Sequence, residues 1–193
     1  MKIVITRHGE TDENIAGILQ GHLYGTLSAN GVEQAKKLAL RLEDEQIDII
    51  YSSDLKRARD TTEEICKYHP NTKTVFVEAL REKSLGEYEG RKKSDVGWDA
   101  KSHKTVTQPK GGETMIEFYK RVEHFLDEIV QKHPNDLVLL VSHGGVNKVL
   151  ISVITGKHYT EVDSIRNTSV TIFEINRDRS YKQLSLNCTE HLN

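Results

Sequence analysis

The chain has 193 residues, with 27 Lys or Arg against 29 Asp or Glu and a formal charge of −2. That length supports one sizeable core and argues against two domains. The near-neutral balance excludes a global attraction to nucleic acid or anionic membranes, so any anion must be held by a local cluster. No apolar run approaches the length that crosses a bilayer and no signal-peptide pattern precedes the first strand-like run, which predicts a soluble, cytoplasmic protein with neither nucleic-acid nor membrane partner.

In chain order, four short runs rich in Ile, Val and Leu read as buried parallel strands: "KIVIT" (2–6), "IDIIYS" (47–52), "TVFVE" (74–78) and "LVLLVS" (137–142). Between the first two, Val32, Ala35, Leu38, Ala39 and Leu42 recur at helical spacing, with Ser28 as a start signal. A second helix ends near "KYHPN" (67–71). A third, with Met115, Phe118, Val122, Phe125, Leu126 and Ile129 on one face, ends near "QKHPN" (131–135), and both stop at a proline. His69 and His133 complement the dipole of those last turns and read as helix-end residues rather than catalysts. The C-terminal "SVTIFEINRDRSYKQLSLN" alternates around an "NRDRS" turn and reads as two antiparallel strands. Cys66 and Cys188 lack metal-type spacing and read as two reduced thiols.

Strands alternating with helices predict an α/β fold: a three-layer αβα sandwich with a mostly parallel central sheet and an antiparallel C-terminal edge, built as a single domain over residues 1–193. One irregular region, about residues 84–112, is long enough to be functional or mobile. Between Arg91 and Lys110 it carries six basic residues (91, 92, 93, 101, 104 and 110) against Asp95 and Asp99, a net of +4. It reads either as a solvated loop or as a lid that attracts a further carboxylate or phosphate on a substrate.

In open α/β sheets ligands bind beyond the carboxyl ends of the strands. The four runs are followed there by Arg7, His8 and Gly9; by "SSDLKRARDT" with Arg57 and Arg59; by "ALREKSLGE" with Arg81 and Glu82; and by His143, Gly144 and Gly145. Each alone has an ordinary structural explanation. Together they suit a tetrahedral phosphate, because guanidinium offers forked donors and the Gly144-Gly145 helix start offers amide N–H groups to an anion.

"TRHGETDEN", "SSDLKRARDT", "LREKSLGEYEG", "GGET" and "VSHGG", in that order from residue 6 to 145, together with "RNTSVTIFEI" (166–175), resemble the motifs of the histidine phosphatase superfamily, the phosphoglycerate-mutase-like group. The resemblance implies metal-independent, cofactor-free hydrolysis of a small-molecule phosphate monoester through a phosphohistidine. It implies His8 as nucleophile, Arg7, Arg57 and His143 as ligands of the phosphoryl oxygens, and Glu82 as general acid and then base. Asn14 would add a neutral donor to the phosphate, with Gln20, Gly21 and Gly144 also lining its site. Gly9, lacking a Cβ, would let the backbone pass close to the imidazole and offer it a carbonyl.

The alternative outcome is phosphoglycerate mutase-type phosphoryl transfer, in which a substrate hydroxyl replaces water. The "QG" at Gln20-Gly21 is more similar to the phosphatase branch, while Tyr24, Thr26 and Tyr88 stand where family members often carry Asp, Pro and Trp, positions that bear on the leaving group. A phospho-ligand-binding module without activity would lack the nucleophile or acid, and both are present. A metallohydrolase would have to use His8, Glu10, Asp12, Asp54 and His143, but paired-His spacings are missing and Arg7 and Arg57 would repel a cation. His22 is the only other histidine near the site in sequence; oligomeric state has no signature beyond an exposed edge strand open to pairing.

Overall fold

The structure, a computed structural model, describes residues 1–99, 102, 105 and 107–193. Six strands form one sheet: β1 (Lys2–Arg7), β2 (Ile49–Ser53), β3 (Lys73–Val77), β4 (Leu137–Ser142), β5 (Val170–Ile175) and β6 (Tyr181–Cys188). Their order is β3-β2-β4-β1-β5-β6. The first four are mutually parallel, and β5 alone runs against them, paired antiparallel to β1 on one side and β6 on the other. The four expected parallel strands and the antiparallel C-terminal edge are therefore all present.

Alternate residues of the central strands feed two separate cores, as the period-2 pleat requires. On one face Ile3, Ile5, Tyr51, Val138, Leu140 and Phe173 pack under α4 (Met115–Lys132) and α5 (Gly144–Thr155). On the other, Val4, Ile50, Leu139, Val141 and Ile172 pack under α2 (Ala29–Leu42) and α3 (Lys56–Cys66). This is the three-layer αβα arrangement. Among the described residues no helix is long and apolar enough to cross a membrane, and both cysteines are free.

Helix boundaries follow local chemistry. Ser28 Oγ accepts from Gly31 N at the start of α2, and Thr114 and Glu117 form a capping box on α4. Both expected helix-end histidines are buried and structural: His69 Nε2 bonds the Leu42 carbonyl, while His133 caps α4 and bridges the Tyr51 hydroxyl and Asp136. The irregular stretch contains two short 3-10 turns, Gly86–Tyr88 and Lys93–Val96. Lys101 and Lys104, part of its basic cluster, lie outside the described residues.

Candidate active site

Pairing register decides what meets at the strand ends. Arg7 of β1 sits beside Ser142 of β4, and Ser52 of β2 beside Val141, so residues 7–8, 142–143 and 53 emerge together at one edge. The ladder runs one residue past β1, with His8 N donating to Ser142 O. The His8 and His143 rings consequently lie 5.2 Å apart, centroid to centroid.

His8 is held as a neutral nucleophile would need to be. Its Nδ1 is 2.7 Å from the Gly9 carbonyl, which can only accept, so the ring proton sits on Nδ1 and the lone pair is left on Nε2. Burial, with Arg57 and Arg7 nearby, pushes its pKa well below the usual histidine value. His143 is shifted the same way by burial and then by Arg57, His8 and Arg7.

Both arginines are anchored by one end. Arg7 donates to the Ile165 carbonyl (2.8 Å) and, at a long 3.5 Å, to Asn14 Oδ1. Arg57 donates to the carbonyls of Leu23 (2.9 Å) and Gly21 (2.8 Å), and burial lowers its pKa to about 10, leaving it a cation at neutral pH. Among the described residues, the buried polar atoms with no protein partner include Arg7 Nε, Arg57 Nε and His143 Nδ1, together with one acceptor of the cavity-lining Gln20, Oε1. Such groups are rare because each forfeits its hydration without replacement. Three of them gathered about His8, beside a cavity of about 220 Å³ that Arg7, His8, Asn14, Arg57, Glu82 and Gly144 line, describe a binding site for a compact acceptor-rich anion.

Glu82 lies across from them, just after the 3-10 turn that follows β3. Its Oε1 accepts from Lys83 N and its Oε2 from Gly145 N, each at 3.0 Å. Three further contacts hold its loop. Arg121 of α4, paired with both oxygens of Glu113 (2.9 and 2.7 Å), donates to the carbonyls of Ala79 and Arg81, which gives the "GGET" motif its structural reason. His22 Nε2 donates to the Glu82 carbonyl, and Glu89 accepts from His22 N and Leu85 N. His22 thus fastens the Glu82 loop to residues 20–22. A Cβ on Gly145 would fall 2.3 Å from Glu82 Oε1. Since that atom ends a flexible side chain, Gly145→Ala should fold and bind phosphate but displace the Glu82 carboxylate. We expect kcat/KM for an alkyl phosphate to fall roughly 10²-fold, with the melting temperature within a few degrees of the parent; an unchanged rate would show that the Gly145–Glu82 contact is dispensable.

A family model described as the histidine phosphatase superfamily (branch 1) matches residues 3–189. The chain belongs to the histidine phosphatase superfamily. It is 33% identical to a metal-independent phosphoserine phosphatase of Arabidopsis thaliana, over 99% of this chain and 83% of that one, and 32% identical to a broad-specificity phosphatase of Saccharomyces cerevisiae, over 100% and 87%. The structure of a phosphoserine phosphatase from Entamoeba histolytica in complex with 3-phosphoglyceric acid superposes with a TM-score of 0.84 at 27% identity, covering 100% of this chain and 99% of that one. This histidine phosphatase is accordingly a phosphoric monoester hydrolase, and the expected reaction class, hydrolysis of a small metabolite's phosphate ester, stands.

Within this histidine phosphatase the fold brings His8, both arginines, Glu82 and Asn14 to one cavity, with His143 packed against His8. Asn14 Oδ1 is occupied by Thr11 N, Arg7 and Asn167, so the remaining donor is Nδ2. Other residues have different duties. Gln20 Nε2 donates to Thr11 Oγ1 while its Oε1 is buried without a protein partner, and Gly21 offers its carbonyl to Arg57; both line the cavity, yet their visible bonds build the loop. Of the two glycine amides at the start of α5, that of Gly145 is occupied by Glu82, which leaves Gly144 as the expected anion contact. Gly9 supplies the expected carbonyl, but its missing side chain makes room for the first turn of α2, since a Cβ there would meet the Gly31 carbonyl at 2.4 Å. Asp54 pairs with Arg81, and Glu10 accepts from Ser28 and Asn30, so neither joins His8 and His143.

Several residues carry the site without announcing themselves in the sequence. Asn167 Nδ2 donates to the His8 carbonyl, and Thr168 N to that of Arg7. Thr61 Oγ1 accepts from Gly9 N while donating to Arg57 O, tying the backbone next to His8 and that of Arg57 into one bond chain. Thr61 closes the "SSDLKRARDT" segment and Asn167 and Thr168 lie in "RNTSVTIFEI", so the sequence marks their places but not their partners.

Both depressed histidine pKa values make stability pH-dependent. Below about 6.5, where unfolded histidine takes up a proton, the unfolded chain binds more protons than the folded one, so stability rises with pH through this window and is fully present above it. The melting temperature of the ligand-free protein should therefore rise between pH 5 and pH 7, and more shallowly in His8→Asn. An equally steep rise in the variant would refute buried, neutral His8.

Proposed function

We propose that His8 Nε2 attacks the phosphorus of a small carboxylate-bearing phosphate monoester, of the phosphoserine or phosphoglycerate type, and that water then hydrolyses the phosphohistidine. In the first step the N–P bond forms and the P–O bond to the leaving group breaks, with Glu82 giving its proton to that oxygen. In the second, Glu82 draws the proton from the attacking water as the N–P bond breaks. Arg7, Arg57, His143, Asn14 and the Gly144 amide hold the phosphoryl oxygens throughout, stabilising the charge that spreads over them. The reading is supported above all by the two unpartnered buried guanidinium N–H groups, of Arg7 and Arg57, and the unpartnered His143 Nδ1 beside a ring whose lone pair is left on Nε2.

The carboxylate preference rests on Lys93. Of the basic residues in the irregular loop, Arg91 lies over the Tyr88 ring and the Lys92 backbone bridges to Ile18, whereas Lys93 lines the cavity. Burial and the nearby Arg7 lower its pKa, so a substrate carboxylate would relieve both penalties. Among the described residues of that loop, Lys93 is therefore the ammonium that supports its reading as a lid. Phosphate release from phosphoserine, 3-phosphoglycerate and an aryl phosphate, measured in excess EDTA, tests the whole reading: release should persist and favour the carboxylated substrates. In Lys93→Met their KM should rise roughly 10-fold, with the aryl phosphate unaffected. Loss of release to EDTA would overturn the mechanism, and an equal effect on all substrates would overturn the role of Lys93.

A further inference from the structure

Beyond the groups that would touch phosphate, Ser53 stands at the end of β2, buried, with its hydroxyl 2.8 Å from His143 Nε2. The same oxygen accepts from Leu55 N at 3.3 Å, where the chain turns into α3, a helix whose N-cap residue, Leu55, makes no side-chain capping bond. We infer that Ser53 is a positioning residue that fixes the tautomer of His143, so that Nδ1 carries the ring proton and presents it to the phosphoryl group. The inference rests on the phosphate-binding role proposed above for His143.

The argument is one of donors and acceptors. A serine hydroxyl has one proton to give and two lone pairs. The Leu55 amide can only donate, so it uses a lone pair and leaves the hydroxyl proton to be placed. Donated to His143 Nε2, that proton satisfies both groups and requires the ring proton to be on Nδ1. The other tautomer would have Nε2–H donating to Ser53, with the hydroxyl proton stranded in a buried site, and would turn the Nδ1 lone pair toward an anion. Both consequences are unfavourable. His143 Nδ1 is the ring atom without a protein partner, as a donor reserved for a ligand would be. Burial and the flanking cations keep the ring neutral, so it has a single proton and the tautomer decides where that proton is. His8 is set by the same device in mirror image: a carbonyl holds its Nδ1–H and frees Nε2 as nucleophile, whereas a hydroxyl holds His143 Nε2 and frees Nδ1 as donor.

The test is nitrogen NMR of the histidine side chains in the ligand-free protein, combined with orthovanadate binding, for the parent, Ser53→Ala and Ser53→Thr. In the parent His143 should show a protonated Nδ1 and an unprotonated Nε2. Ser53→Ala should give mixed tautomers, with vanadate affinity and kcat/KM down roughly 10-fold, about one hydrogen bond. Ser53→Thr, which keeps the hydroxyl, should restore the parent tautomer. A role confined to the turn at Leu55 would lower the melting temperature of Ser53→Ala but leave tautomer and vanadate affinity unmoved, and that result would overturn the inference. So would a parent His143 protonated on Nε2, whatever the variants do. The spectra need no turnover, whereas the phosphatase reading is judged by His8-dependent phosphate release from the parent, so the two can fail separately.

Discussion

His8→Ala should abolish turnover and yet leave phosphate bound. Removing the imidazole deletes the proposed nucleophile, and water admitted in its place would have to attack a phosphorus that the proposed mechanism presents to nitrogen. Loss of a nucleophile in hydrolases of this general kind costs on the order of 10⁴-fold or more in kcat. Binding should hold up because the donors proposed for the phosphoryl oxygens come from other elements: Arg7 is clamped to the Ile165 carbonyl, Arg57 to those of Gly21 and Leu23, and His143 to Ser53. None of these anchors passes through the His8 ring. Steady-state rates on an aryl phosphate, with the phosphate dissociation constant from calorimetry, provide the check. Activity above about 1% of the parent would mean that another group attacks phosphorus, and a large loss of affinity would mean that the ring was organising its neighbours.

The parts of this site that were legible in sequence are those where local chemistry is out of place. A strand buried on both faces must be apolar along its length, so Arg7-His8 and His143 at the ends of β1 and β4 are conspicuous as soon as the runs are recognised. Arg57 and Glu82 follow strands in the same way. The parallel core was legible for the same reason, and α2 from its period and its serine cap. Contacts between segments distant in the chain were not. Asn167 reaches the His8 carbonyl across 159 residues, and Arg121 reaches the acid's loop from a helix about 40 residues away; neither leaves a periodic or compositional trace. Gln20 and Gly21 were legible as a site segment, but their bonds to Thr11 and Arg57 depend on how an irregular loop closes. The glycine at position 9 was read from its own neighbour, whereas the contact that requires it comes from Gly31, one layer away.

Replacing Glu82 should produce an effect that depends on the leaving group and on which kinetic constant is read. Glu82→Gln removes the transferable proton, so expulsion of a poor leaving alkoxide slows by about 10²- to 10⁴-fold, while an aryloxide departs nearly unaided. That contrast belongs in kcat/KM, which covers steps only through formation of the phosphohistidine. The second step also needs Glu82, now as base toward water, so kcat should fall for every substrate. An aryl phosphate should then give a burst of one phenol per active site followed by slow turnover, the signature of a covalent intermediate that accumulates. The substitution is not a neutral isostere, because both carboxylate oxygens accept from backbone amides and the new amide nitrogen would face one of those N–H groups as a second donor. Displacement alone, however, would slow both substrates alike and give no burst. An equal loss in kcat/KM for alkyl and aryl phosphates would therefore remove Glu82 from proton transfer, and the aryl burst separates a missing proton from a misplaced side chain.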